Sequence, residues 1–97
     1  MPKAYVIVDM DVTDPDSYAA DYVPLSGPSV DVAGGRYLAR GGETVVLEGD
    51  RQPHRTVLIE FESVEAAKAW YDSPGYREAR AARASSAVGS FIVVEGV

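Results

Sequence analysis

Two charged residues, Arg40 and Glu60, lie in segments whose residue pattern predicts neighbouring β-strands. Glu60 follows the apolar run Val57-Leu58-Ile59, and a carboxylate among such neighbours must be solvated, paired or used in chemistry. Arg40 can hold a carboxylate or enolate oxygen through two hydrogen bonds, while Glu60 can take up and return a proton. The pair therefore predicts a catalytic site for proton transfer. A structural ion pair at a bulge or a dimer interface is the alternative interpretation.

His54 is the only histidine of the chain, and it shares the two-residue alternation of Thr56, Leu58 and Glu60. An imidazole is the side chain best suited to proton transfer at neutral pH, so His54 is the third candidate catalytic residue. Its place at the start of a strand, beside a polar loop, fits equally well with an exposed histidine that has no catalytic role.

Three aromatic residues, Trp70, Tyr71 and Tyr76, lie near the junction of two predicted C-terminal helices. Together with Arg40 they are the candidate substrate-binding residues. A cleft lined by several aromatic rings suits a planar or apolar small molecule. The alternative is that the three rings belong to the core or to an interface, because each of them buries a large area.

Composition and charge exclude several classes of function. The chain has no cysteine, which excludes disulfides, cysteine-bound metals and thiolate nucleophiles. A net charge of −6 disfavours nucleic acid and anionic membranes as partners. The glycines form neither a phosphate loop nor a dinucleotide-binding motif, and a single histidine without cysteine is a poor basis for a metal site. We therefore expect no metal and no organic cofactor. With no signal-peptide pattern and no apolar run of bilayer length, we expect a cytoplasmic protein.

The apolar alternation and the turn signals predict six elements in the order β-α-β-β-α-β, which is the ferredoxin-like arrangement. Asp14-Pro15 predicts the start of the first helix, and Pro24 and Pro28 predict that this helix is interrupted before it ends near Val32. Ser63 and Ser73 predict the starts of two C-terminal helical segments, which end near residues 71 and 85. The predicted strands cover residues 3–12, 36–48, 55–61 and 90–95, with a bulge expected at Gly41-Gly42.

The length of 97 residues predicts one α+β domain over residues 1–97, built on an antiparallel sheet. A chain of this size buries only a little over roughly 60% of its unfolded surface, so its core is small. Dimerisation would enlarge that core, and a second copy of the chain is the expected partner.

Four ordered motifs resemble the bacterial family called domain of unknown function 1330. They are Gly34-Gly35-Arg36-Tyr37-Leu38-Ala39-Arg40-Gly41-Gly42, Leu47-Glu48-Gly49-Asp50, Ile59-Glu60-Phe61-Glu62-Ser63 and Ala69-Trp70-Tyr71-Asp72-Ser73-Pro74-Gly75-Tyr76. The resemblance covers nearly the whole chain. It implies a dimeric α+β barrel, in which two ferredoxin-like subunits pack their sheets together with the helices outside.

The resemblance implies no particular reaction, because the family is itself uncharacterised. Its superfamily includes cofactor-independent monooxygenases, muconolactone-type isomerases, haem-degrading enzymes and peroxidase-like haem proteins. The haem-degrading type relies on an Asn, Trp and His set, and this chain contains no asparagine. The chain therefore departs from the haem-degrading pattern.

Two hypotheses follow for the function. The first is an enzyme or binding protein for a small organic molecule that is anionic or enolisable, working without metal or organic cofactor through Arg40 and Glu60. The second is a non-catalytic dimeric domain in which Arg40 and Glu60 form a structural ion pair.

Overall fold

The β-α-β-β-α-β order predicted from the sequence is confirmed by a computed structural model, which describes residues 2–97. The first half contains strand β1, three consecutive helical segments and strand β2. The second half contains strand β3, two helices and strand β4. The bounds are β1 Ala4–Val12, α1 Pro15–Ser17, a π-helical segment Tyr18–Tyr22, α2 Val23–Val32, β2 Arg36–Arg40, β3 Arg55–Phe61, α3 Val64–Tyr71, α4 Pro74–Arg83 and β4 Ala87–Glu95.

The four strands form one antiparallel sheet in the order β2-β3-β1-β4, as the ferredoxin-like prediction requires. Strand β1 is central, and Ile7 pairs with Leu58 on one side and with Ile92 on the other. The two edges of the sheet are β2 and β4.

Alternation along the strands gives the sheet two different faces. The face under the helices, called here the helix face, carries Val6, Val8 and Met10 of β1, each of them buried. The opposite face, called here the open face, has no helix over it. Its apolar residues are Tyr5, Ile7, Leu58, Val88, Ile92 and Val94, of which Val88, Ile92 and Val94 are 68%, 58% and 47% exposed.

The helix after β1 begins where the sequence predicts. Asp14 caps it by accepting a hydrogen bond from the amide of Ser17 at 3.2 Å, and Pro15 occupies the first helical position. The predicted interruption takes the form of a π-helical segment rather than a gap. Pro24 follows it in the first turn of α2, where a missing amide costs little, and Pro28 is accommodated inside the helix.

Strand β2 is shorter than predicted, because it ends at Arg40 instead of continuing to Glu48. Gly41 turns the chain away with a φ of 71°, and its amide donates to the carbonyl of Thr56 at 2.9 Å. Residues 41–52 are exposed and have no paired strand. The bulge is also misplaced in the prediction, since it lies between Tyr37 and Ala39 and not at Gly41-Gly42.

The two C-terminal helices pack aromatic residues against the helix face. Ser63 caps α3 by accepting from the amide of Ala66 at 3.0 Å, and Ser73 caps α4 by accepting from the amide of Tyr76 at 3.2 Å. These caps confirm the predicted helix starts and fix where Trp70 and Tyr76 enter the core. Trp70, Tyr76, Phe61 and Met10 are among the largest fully buried side chains.

Candidate functional site

Glu60 lies on the open face, where two cations other than Arg40 surround it. Its Oε1 is 3.1 Å from Nζ of Lys3 and 3.4 Å from Nη2 of Arg36. Lys3 also reaches Oε1 of Glu62 at 4.0 Å. The predicted Arg40–Glu60 ion pair is therefore wrong, and Glu60 belongs to a cluster with Lys3 and Arg36.

The bulge at Leu38 explains why Arg40 misses Glu60. In a regular strand, Arg36, Leu38 and Arg40 would share one face, and both arginines would lie on the side of Glu60. The extra residue reverses the alternation, so Arg36 pairs with Glu60 while Arg40 pairs with Val57. Arg40 consequently lies on the helix face, where its guanidinium carbon is 4.3 Å from the centroid of the Tyr37 ring.

His54 is held by Asp9 near the far end of the open face. Its backbone amide donates to Oδ1 of Asp9 at 2.8 Å, and its Nδ1 lies 2.9 Å from Oδ2 of the same carboxylate. Its Nε2 is 3.9 Å from Oδ2 of Asp11. Glu60 is paired with Tyr5 of β1, whereas His54 is hydrogen-bonded to Asp9, four positions further along the same strand. The two candidate residues therefore lie about 13 Å apart along β1. The structure therefore does not bring His54, Glu60 and Arg40 together.

The hydrogen bonds between Asp9 and His54 raise the pKa of the histidine and lower the pKa of the aspartate. The bond to Asp9 raises the pKa of His54 above its ordinary value, and Asp11 adds to the effect. The side-chain bond from His54 lowers the pKa of Asp9, with the backbone bond and Arg51 acting in the same direction. The side chains of His54 and Asp9 are 50% and 21% exposed, so solvent partly screens their interaction.

We expect the Asp9–His54 contact to stabilise the fold most at mildly acidic pH. The His54 contribution is complete below the unfolded value of 6.5 and is lost as the pH rises through the raised folded pKa. The Asp9 contribution is complete above 3.8 and is lost as the pH falls through the lowered folded pKa. Urea midpoints of the wild type and His54→Gln should therefore differ most between those two values and converge above the raised His54 pKa. A constant difference across pH would contradict the assignment.

The predicted aromatic residues do come together. The ring of Trp70 lies 4.3 Å from that of Tyr76 and 6.2 Å from that of Tyr71, measured between centroids. Trp70 Nε1 donates to Oγ of Ser29 at 3.1 Å, and the hydroxyl of Tyr76 is hydrogen-bonded to that of Tyr22 at 2.8 Å. Burial raises the pKa of both phenols, so they stay neutral at physiological pH.

One cavity of about 360 Å³ adjoins this aromatic cluster, between α3 and the strands β1 and β4. Trp70, Tyr71 and Phe91 form its aromatic wall, and Lys68 and Asp72 supply its charged groups. Tyr76 is fully buried and does not line it. Phe91, Lys68 and Asp72 were not predicted as site residues from the sequence, although the alternation in β4 places Phe91 opposite Val8 on the helix face.

Two further hollows differ in character. A wider groove of about 630 Å³ lies on the outside, between α2 and the C-terminal helices, and its lining is mostly apolar. A narrow cleft of about 20 Å³ lies between the first helical segments and the sheet, and Arg40 and Arg55 line it. Of these three hollows, the 360 Å³ cavity is the one that combines a volume in the usual ligand-binding range with the predicted aromatic residues Trp70 and Tyr71 and two opposite charges.

Within residues 2–97, no group of three or more His, Asp or Glu side chains is placed to hold a metal ion. None of the helices in that range is both long and apolar enough to pass through a bilayer.

Sequence comparison links this chain to a family. The model of the family described as Domain of unknown function (DUF1330) matches residues 3–97. The chain is a member of the DUF1330 family. Among curated proteins, none matches the sequence of this DUF1330 chain.

Solved structures share the fold of the DUF1330 chain. A protein of unknown function from Rhodopseudomonas palustris superposes with a TM-score of 0.77 at 22% identity, covering 99% of this chain and 83% of its own. SnoaB, a cofactor-independent oxygenase from Streptomyces nogalater, gives 0.59 at 12% identity, covering 100% and 95%. A dimeric ferredoxin-like protein of unknown function from Thermobifida fusca gives 0.53 at 15% identity, covering 99% and 91%. At these identities the comparisons establish the fold alone.

Proposed function

We propose that this DUF1330 protein is a homodimer that binds a small, flat organic molecule in the 360 Å³ cavity beside Trp70. The observation that carries the proposal is the cavity itself, whose lining combines aromatic rings with a lysine and an aspartate. Mostly apolar walls with a few polar groups are typical of ligand sites, where the apolar wall supplies affinity and the polar groups fix orientation.

The lining favours a ligand that is weakly acidic or enolisable. The partly exposed rings of Tyr71 and Phe91 are available for stacking on a flat molecule, and the buried Trp70 completes the aromatic wall. Lys68 can hold an anionic oxygen by a charge-assisted hydrogen bond, and Asp72 can accept a proton. Isomerisation of such a molecule, or its oxygenation by dioxygen, is the reaction class that fits this small set of groups. The fold shared with a cofactor-independent oxygenase is consistent with that class, as an analogy between folds.

The three residues predicted to be catalytic, Arg40, His54 and Glu60, do not line the 360 Å³ cavity. Glu60 and His54 lie on the open face, and Arg40 lies at the narrow cleft. A role for Glu60 or His54 in catalysis would require a site between two subunits, because the open face is the surface that we propose to be covered in the dimer.

The homodimer proposal rests on the open face. Its apolar row Leu58-Ile7-Ile92 crosses three strands. An apolar patch on a sheet face that is exposed to water favours association with another protein surface. The occupant is a second copy of this chain, packed sheet against sheet. The dimeric relative from Thermobifida fusca supports this choice.

Trp70 is the only tryptophan of the chain, so its fluorescence reports on ligands bound beside it, and cavity variants assign such binding to the 360 Å³ cavity. We expect lawsone, a flat hydroxynaphthoquinone that is an enolate at neutral pH, to quench this emission saturably after correction for absorption. Val93→Phe fills the cavity from β4 and should abolish saturable quenching, whereas Val45→Phe places the same ring on the exposed loop and should leave it unchanged. Lys68→Gln should weaken binding about tenfold, the loss of one charge-assisted hydrogen bond.

A non-catalytic dimeric domain is the second candidate function. The observation that favours it is the cluster of Lys3, Arg36 and Glu60, which links the residue before β1 to β2 and β3 on the open face. Linear quenching that is the same in the wild type, Val93→Phe and Lys68→Gln would contradict the cavity proposal and favour this domain.

A further inference from the structure

Two arginines, Arg40 and Arg55, project from neighbouring strands into the narrow cleft on the helix face. Neither forms an ion pair with a carboxylate in the described part of the chain, although the protein carries fifteen acidic residues. Arg40 pairs with Val57 in the sheet, and Arg55 lies two residues away on the same face. The Cα atoms of such diagonal neighbours are roughly 7–8 Å apart, so both positive charges belong to the same small region of the helix face.

The Nε end of the partly exposed Arg55 guanidinium is packed against the protein. Its Nε is buried and has no hydrogen-bond partner within residues 2–97. Its Cζ lies 5.9 Å from the centroid of the Tyr18 ring, while that of Arg40 lies 4.3 Å from the Tyr37 ring. Buried donors are almost always satisfied in folded proteins, so the Nε of Arg55 is a donor that an acceptor entering the cleft can satisfy.

Gly41 is the residue that lets Arg55 take this position. A Cβ added at Gly41 would overlap the Nη1 and Cζ atoms of Arg55, so any other residue there would push the guanidinium away. Gly41 also has a φ of 71°, and its amide is tied to Thr56. The end of β2 is therefore shaped around the Arg55 side chain.

We propose that Arg40 and Arg55 form a binding site for the carboxylate of a small aromatic acid, separate from the 360 Å³ cavity. Two guanidinium groups provide paired donors in the planar geometry that a carboxylate matches. The cleft volume of about 20 Å³ admits a carboxylate oxygen but not a whole organic molecule, so the aromatic body lies at the mouth beside Tyr37. Burial raises the pKa of Tyr37, which keeps its hydroxyl protonated and able to donate.

The test is a titration of nitrogen-15-labelled protein with benzoate, followed through the arginine Nε–Hε signals. We expect the Arg55 signal to shift saturably. The Arg83 signal is the internal control, because its Nε is also buried without a partner but Arg83 does not line the cleft. Arg55→Gln and Arg40→Gln should each weaken benzoate binding at least about tenfold, the loss expected for one charge-assisted contact.

Gly41→Ala tests the positioning and has a matched control. It should weaken benzoate binding as much as Arg55→Gln does, because the new methyl group displaces the guanidinium. Gly34→Ala introduces the same kind of backbone strain, at a φ of 76°, with no atom near its Cβ, and it should leave benzoate binding within about twofold of the wild type. Should Gly41→Ala fail to fold, the two arginine variants still decide the proposal.

Three results would overturn the proposal. The first is that benzoate does not shift the Arg55 signal, and the second is that benzoate binds both arginine variants as tightly as the wild type. The third is that sulfate binds as tightly as benzoate, which would mean that the cleft recognises charge alone. Lawsone titration of Arg55→Gln separates this proposal from the cavity proposal. Because Arg55 does not line the 360 Å³ cavity, lawsone should quench Trp70 in this variant as it does in the wild type, whatever the result with benzoate.

Discussion

Replacing Trp70 by alanine is expected to lower the free energy of unfolding by about 3–5 kcal/mol. The side chain is 2% exposed and its ring packs on those of Phe61, Tyr71 and Tyr76, so truncation removes a large buried surface and leaves a cavity. Its indole also donates to Ser29, and that acceptor would lose its donor. Urea unfolding followed by far-ultraviolet circular dichroism measures the effect, because the variant has no tryptophan emission.

Two control variants separate packing from the hydrogen bond. Trp70→Phe keeps a ring in place but removes the donor, and we expect it to cost clearly less than the alanine variant. Tyr71→Phe removes only a hydroxyl from a half-buried ring and should change stability by less than about 1 kcal/mol. A loss below about 1 kcal/mol for Trp70→Ala would show that the aromatic cluster is not the main core.

The same residue connects stability to the proposed binding function. Trp70 lines the 360 Å³ cavity, the narrow cleft and the outer groove, so its ring is a shared wall between all three hollows. A ligand bound in the 360 Å³ cavity would also stabilise the fold, by mass action on the native state. Thermal shift with lawsone should accordingly follow the fluorescence titration.

The fold was predictable because local signals and the global arrangement agree. Alternation in residues 4–10 fixed which face of β1 is buried, and capping residues fixed the helix starts at Pro15, Val64 and Pro74. Strand β2 was harder, because residues 43–48 have the composition of a strand but no partner beside them. Strand composition describes what a segment can do, and pairing depends on the rest of the molecule.

The candidate site was only partly predictable, and one residue accounts for much of the failure. The aromatic residues Trp70 and Tyr71 were recognised from their clustering in the sequence, whereas Tyr76 is buried and does not line the cavity. The partner of Glu60 was missed because the bulge at Leu38 changes the side on which Arg40 lies, and no sequence signal marks that position. Contacts such as Asp9 with His54 depend on the antiparallel register, which a single sequence gives only approximately.

The open face gives the second large prediction, in which Ile7→Asp converts the proposed dimer to a monomer. Ile7 lies at the centre of the row formed with Leu58 and Ile92, so a sheet-to-sheet dimer would bury one unpaired carboxylate from each subunit. Each such charge costs several kcal/mol, and the dissociation constant should rise on the order of a thousandfold or more.

Native mass spectrometry and light scattering at micromolar concentration measure the change directly. Val32→Asp is the matched control, because Val32 is 90% exposed on α2, and it adds the same charge away from the open face. The control should stay dimeric, and circular dichroism should confirm that both variants are folded. A wild type that is monomeric at every concentration, or an Ile7→Asp variant that dimerises as tightly as the control, would mean that the open face is not the subunit interface. Glu60 and His54 would then be solvent-facing residues with no second subunit above them.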